Sequence, residues 1–207
     1  MTNGTHASEP PAADAEEIPL FPLNTVLFPG GLLPLRLFEA RYIDMIRACM
    51  RQQSGFGVVL IREGSEVGNS PVRICDVGTY ARIVDFSQLD DGLLGIIILA
   101  ERRFRINKVR AQKDGLHLAH IEWLQPEDAA PVPEEFLPLV SMLKQALPQL
   151  GEMHRHFAMN YDDAAWVAGR VLEILPLQLS DKQLCLEMDG ALRRLEQLKP
   201  LLRAVKE

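Results

Sequence analysis

The sequence G-x-x-x-x-G-K-[ST] occurs nowhere in the 207 residues, so the backbone cradle and lysine that hold nucleotide phosphates are missing. Cysteine is scarce: Cys49, Cys75 and Cys185 are the only three, and no two form a C-x-x-C pair. That pattern fits reduced, buried thiols in a cytoplasmic protein, not a disulfide framework, and it offers no zinc-ligand spacing. Positive charge is in deficit, with 22 Lys and Arg against 28 Asp and Glu and a net charge of −6. A nucleic-acid partner, which needs basic surface to displace counterions, is therefore not expected. No apolar run approaches membrane-spanning length; the longest, Leu93 to Ala100, is interrupted by Gly95. The opening, MTNGTHASEPPAADAEE (1–17), lacks the basic start and apolar stretch of a signal peptide and reads as a disordered acidic tail.

Proline is abundant where it matters most. Pro19, Pro22, Pro29, Pro34 and the Gly30-Gly31 pair cut Ile18 to Tyr42 into short apolar pieces. Each proline removes a backbone donor and disfavours helical angles in the residue before it, so this stretch is predicted to be extended segments joined by turns. Its charges, Arg36, Glu39 and Arg41, all fall at the far end.

These residues, PLFPL, VLFPG, LPLR and FEARY in order, resemble the opening of the amino-terminal domain of Lon-type proteases. VGTYARI (77–83), the Asp91-Gly92 turn, RRFRI (102–106) and LPLQLSDKQLCLEM (175–188) extend the resemblance over roughly 18–200. Leu93 and Ala100 depart from it, standing where an Arg and a Gly are common. The resemblance implies a PUA-like β pseudo-barrel with one inserted helix, followed by a helical part. With no ATPase or peptidase motif in the sequence, it also implies a stand-alone relative of a substrate-recognition domain.

The residue pattern on its own gives an α+β organisation. Glu39 to Gln53 has helical spacing, with Phe38, Tyr42, Ile46, Cys49 and Met50 on one stripe. Phe56 to Ile61 reads as a buried strand, Arg62 to Ser70 as a loop. Alternation at Val77, Thr79, Ala81 and Ile83, the Asp90-Asp91-Gly92 turn, Leu93 to Leu99, and Leu116 to Trp123 complete a set of short strands suited to a small barrel over 18–124. The proline-rich and acidic segment 125–135 looks like a linker between lobes. Beyond it, 136–207 switches to helical periods. Leu139, Leu143 and Leu147 mark one helix; Trp166, Arg170 and Ile174 mark a second, opened by Asp162 and Asp163. Ser180 with Gln183 reads as a capping box for a third, striped by Leu184 and Met188, and Asp189 as the cap of a fourth carrying Leu192, Leu195 and Leu198.

No catalytic constellation emerges. His154 and His156, two apart, face away from each other on a helix and read as a solvated pair. His117 and His120 point to opposite faces of a strand. Cys49 and Cys185 lie in apolar stretches, and Asp76 beside Cys75 disfavours a thiolate. No catalytic residue, metal ligand or cofactor is therefore expected. Arg103 and Arg105 alternate on one strand face, expected to be solvated or ion-paired. Arg36, Glu39, Arg41 and Arg103 admit two roles: pairing where helix meets barrel, or reaching into a groove to meet a bound peptide. The peptide-binding candidates are Phe38, Arg41, Tyr42, Arg103 and Phe104, although the aromatic members also suit core positions.

The function expected from the resemblance is non-catalytic recognition of unfolded or exposed apolar polypeptide, delivered to a protease or chaperone. The alternatives are a small enzyme of unknown reaction and a nucleotide- or RNA-binding PUA-like module. The missing nucleophile–base pair and the acidic balance argue against both.

Overall fold

The computed structural model describes residues 16–66 and 72–204. Most of the acidic tail therefore lies outside the described residues, as do Gly68 and Asn69 of the expected loop. Seven strands and five α-helices follow in order: β1 (Glu16–Leu23), β2 (Leu32–Leu37), α1 (Ala40–Gln52), β3 (Phe56–Glu63), β4 (Arg73–Ile74), β5 (Val77–Gln88), β6 (Leu94–Ala111), β7 (His117–Trp123), α2 (Leu137–Ala146), α3 (Ala164–Ile174), α4 (Leu179–Glu187) and α5 (Ala191–Ala204).

The strands close on themselves through β1-β7-β6-β5-β3 and back to β1, with β2 added to β6 and β4 to β3. β1 makes closure possible. Glu16–Pro19 pairs antiparallel with β7, and Leu20–Leu23 pairs parallel with β3. Each half thus uses one edge, and Pro19 and Pro22 can sit in a strand without breaking a two-sided ladder. β6 runs for 18 residues. β2 flanks its first half, β7 its second, and β5 most of its length. The alternating pieces Leu93–Leu99 and RRFRI are therefore one strand, carried past Glu101 by a register shift opposite Tyr80 and Ala81.

Helix α1 closes the barrel, burying Tyr42, Met45, Ile46 and Cys49. The expected stripe is corrected at both ends. Phe38 precedes the Glu39 N-cap and is 56% exposed, and Met50 is 41% exposed, while Met45 takes the inward place. The helices after β7 share a core with the barrel. Their core, with Val140, Leu143, Trp166, Val167, Leu195 and Leu198, is continuous with Val26, Phe28, Leu60, Cys75 and Val77 of the barrel.

Helix boundaries correct the capping expectations. Asp163 caps α3 as expected, accepting from the Trp166 N–H. Gln178 occupies the N-cap of α4 without a side-chain bond, and Gln183 instead donates to the Val77 carbonyl and to Glu187. Asp189 accepts from Arg103, and it is the Gly190 carbonyl that receives the Arg194 N–H at the start of α5. Leu184 and Leu192 are exposed, so the inward positions of α4 are Gln183, Cys185 and Leu186.

The segment 125–135 is tied down: the Ala130 N–H donates to Asp163 and its carbonyl accepts from Ala164, and Pro131 bridges to Asp163.

Candidate functional site

The residues singled out from the sequence separate into three environments. Tyr42 is buried and stacks on Phe21 with ring centroids 4.0 Å apart. Arg41 precedes it, pairing with Glu39 at 2.6 Å, reaching the Gly115 carbonyl at 3.4 Å and lying 4.9 Å from the Tyr42 ring centre. Both ions of that pair are largely buried where α1 meets the barrel. Desolvation there raises the Tyr42 phenol pKa. Phe38 stands apart, facing outward.

Arg103 and Phe104 point to opposite sides of β6. Phe104 is fully buried against Gly57 and Gly78, whose missing side chains make room for its ring. Phe104 thus offers no contact surface. Arg103 points toward the helices and is only 6% exposed. Its guanidinium donates to the carbonyls of Leu186 at 2.8 Å and Met188 at 3.0 Å, and to Asp189 at 3.0 Å. Glu127 lies 3.3 Å away and also pairs with Arg194, which donates in turn to the Cys185 and Met188 carbonyls. The expectation that Arg103 and Arg105 are solvated or ion-paired divides between them: Arg105 is exposed, while Arg103 is ion-paired and covered by the α4–α5 junction.

A third arginine stands in the sequence only as a helix-stripe position. Arg170 on α3 is 1% exposed and grips Glu173 through two bonds, 2.8 and 2.7 Å long, while donating to the Phe28 and Pro29 carbonyls. Glu173 accepts the Phe28 N–H at 2.9 Å. A side chain at Gly31 would strike Arg170 and Glu173, so the Gly30-Gly31 pair exists to let this buried ion pair approach the loop backbone. The Pro-Gly-Gly sequence signals a tight turn; nothing in it names the partner on α3.

Asp85 and His156 are engaged structurally. Asp85 receives Arg155 at 2.9 Å and His156 at 3.2 Å. Those contacts, Arg155 first, hold its carboxyl below the usual range. His156 is thus docked on the barrel, not solvated; the His154 side chain lies outside the described residues. Burial pushes the Cys49 and Cys185 thiols up, away from the thiolate. Among the described residues no cluster of three or more His, Cys, Asp or Glu is arranged to hold a metal. None of the described helices is long and apolar enough to cross a membrane.

What the surface offers instead is exposed apolar side chains beside clefts. Leu35, Ile96 and Phe86 form one cross-strand row, on the face that Ile96 turns to the core. Phe86, at the outer end of that row, is 59% exposed. Phe86 and Met50 line one cleft between α1 and β5, with a volume of about 530 Å³, together with Ile83, Arg82 and Asp85.

Comparison with known proteins agrees with this architecture. The family described as the ATP-dependent protease La (LON) substrate-binding domain matches residues 17–204. The Lon protease of Escherichia coli strain K12 is 26% identical over 204 residues, covering 93% of this chain and 25% of that protein. Lon protease 2 of Syntrophobacter fumaroxidans is 30% identical over 187 residues, 87% of this chain and 23% of that protein. The chain thus spans about a quarter of the length of the curated relatives it matches. The crystal structure of a Lon N-terminal domain protein from Xanthomonas campestris superposes with a TM-score of 0.71 at 36% identity, covering 88% of this chain and 96% of that one. The N-terminal domain of a Mycobacterium avium complex Lon protease shares the fold, with a TM-score of 0.57 at 17% identity over 87% of this chain and 95% of that one.

Proposed function

Because this chain belongs to the LON substrate-binding domain family, we propose that it is a non-catalytic module that recognises unfolded or exposed apolar polypeptide and passes it to a protease or chaperone. The observation that carries the reading is the cleft shared by Met50 and Phe86, two large apolar side chains left substantially in water beside a fully packed core. Phe38, at the other end of α1, is a second outward aromatic. Aromatic and Met side chains are the usual energetic centres of contact surfaces, and Met adapts to varied partners. The exposed Gln53 on the same cleft supplies a polar contact for a client backbone. Of the residues suggested by sequence, Phe38 keeps a contact role in this reading. Arg41, Tyr42, Arg103 and Phe104 are held inside the fold and make no contact with a client in this reading.

The reading is tested by fluorescence anisotropy with one labelled protein in two forms, native and reduced with its thiols capped by a neutral alkyl group. The module is expected to bind the unfolded form and to ignore the native one. Equal binding to both, or to neither, contradicts the reading.

A further inference from the structure

β5 pairs with β6 from Val77 to Gln88 but with β3 only at Thr79, Tyr80 and Ala81. Just before β3 the chain comes in from the side, because Gln53, with a left-handed φ of 53°, ends α1 there. Among the described residues no strand pairs with that side of β5 past Ala81. Arg82 to Gln88 therefore present a free sheet edge, and it borders the cleft that Met50 and Phe86 share. Hydrogen-bond alternation identifies the groups on that edge. In an antiparallel ladder, successive residues turn their N–H and C=O alternately toward and away from the partner strand. The Leu89 N–H donates to the Leu93 carbonyl at 2.9 Å, which makes these two a bonded pair. Two residues back, Ser87 then bonds Gly95, and Asp85 bonds Ile97, whereas Phe86 and Gln88 turn their N–H and C=O away from β6. The other edge of β6 agrees: Ala100 exchanges both its bonds with Gly30 and Gly31, so Ile98, Ile96 and Leu94 face β2 and not β5. The Phe86 N–H accordingly finds its acceptor in Asp85 Oδ1, 2.9 Å away, and not on β6.

We propose that the client is bound by strand addition: an extended segment pairs with the free edge of β5 at Phe86 and Gln88, and its side chains alternate between the cleft and water. The inference rests on the polypeptide-recognition reading and adds the conformation and sequence pattern of the client. Three observations select that ligand. The outward groups of Phe86 and Gln88, both exposed residues, recur every second position, a spacing that another extended backbone matches. At Phe86 the incoming carbonyl takes the place of Asp85 Oδ1, while Arg155 and His156 keep Asp85 Oδ2. The two faces of the edge also differ. Phe86 shares its face with Ile96 and Leu35, toward α1, where Ile83 and Met50 add apolar wall; Asp85 and Ser87 lie on the opposite face. A client strand continuing this sheet therefore places apolar residues toward α1 and polar residues between them. Charge contributes little, because the two charged residues lining the cleft are already paired, Arg82 with Glu101 and Asp85 with Arg155.

The test measures binding of fluorescein-labelled Lys-Thr-Val-Thr-Val-Thr-Val-Lys to the full chain by anisotropy. Saturable binding is expected. N-methylation of one alternating set of peptide nitrogens, those of the Thr or those of the Val residues, is expected to weaken it by about tenfold or more, and methylation of the other set to be tolerated. Only one set faces β5 in an added strand. Gln88→Pro removes a donor that β6 does not use, as Pro34 lacks one in the edge strand β2. It is expected to weaken the unmodified peptide about five- to tenfold, the worth of about one backbone hydrogen bond, and its urea midpoint reports whether the fold is intact. Equal loss with both methylated peptides, loss with neither, or no binding of the unmodified peptide overturns strand addition. So does a dimer of the protein alone in sedimentation that Gln88→Pro dissolves, which would give the edge to a second copy. If unfolded protein still binds in the assay described above, the failure is confined to strand addition. If it does not, the polypeptide-recognition reading falls as well.

Discussion

Arg103 on β6 donates from Nη1 to the carbonyl of Leu186 at the end of α4, 2.8 Å away and 83 residues later in the chain. This bond, with those to Met188 and Asp189, fastens the helices to the barrel wall. Arg103→Glu removes the donors and sets a buried carboxylate beside Glu127. The expected loss is at least about 3–5 kcal/mol, the usual cost of breaking a buried pair. Urea denaturation followed by circular dichroism measures it, and a loss under about 1 kcal/mol would assign Arg103 a peripheral place.

Arg41→Glu tests the other junction. Two carboxylates would then face each other where Glu39 now pairs with Arg41. A drop in stability is expected, partly restored in the Glu39→Arg/Arg41→Glu double variant, because the defect is the like-charge pair itself. No recovery in the double variant would show that the guanidinium's contacts with Gly115 and Tyr42 dominate.

Gly78→Ala probes the seat of Phe104. A Cβ at Gly78 would lie 2.5 Å from the Val58 carbonyl oxygen and 2.8 Å from the Phe104 ring. Backbone cannot swing away as a flexible side chain can, so overpacking of about 1–3 kcal/mol is expected. Thermal unfolding reads it directly, and an unchanged melting temperature would refute this packing.

Acid should weaken the fold in a window set by His117. Burial, then Arg41, lowers its pKa in the folded protein. The unfolded chain therefore takes up the proton first, and stability falls as pH drops below about 6.5 through the lower folded pKa. His117→Phe is expected to flatten the stability profile just below about pH 6.5, while the acid limb governed by Glu17 and Asp85, whose carboxyl pKa values are also lowered, remains. An unchanged profile would mean that His117 is solvated in the folded state.

Much of the fold was legible because local rules and tertiary packing agree. Prolines at 19 and 22 read as extended and occur in a strand that uses one edge at a time. The Asp163 cap and the strand at Phe56 are likewise where pattern places them. The failures have a common physical cause. Alternation tells which residues share a face, not what later covers that face. Alternation leaves Arg103 solvated or ion-paired, and the junction that buries and pairs it lies more than eighty residues downstream. Ser180 and Asp189 looked like caps because their spacing is right, but Gln183 and Asp189 are taken by Val77 and Arg103 of the barrel. The Met50–Phe86 cleft was illegible for the same reason: Met50 sits on a helical stripe and Phe86 on an alternating strand, and only closure of the barrel brings them to one surface.

The most direct test of polypeptide recognition at the Met50–Phe86 cleft is the affinity of Met50→Ser/Phe86→Ser for the unfolded, labelled protein. Both side chains are exposed, so the double variant is expected to keep the parent's circular dichroism and unfolding midpoint within about 0.5 kcal/mol per site. Its dissociation constant is expected to rise about tenfold or more, as when central apolar contacts are truncated. A folded double variant that binds unfolded polypeptide as tightly as the parent would contradict the account.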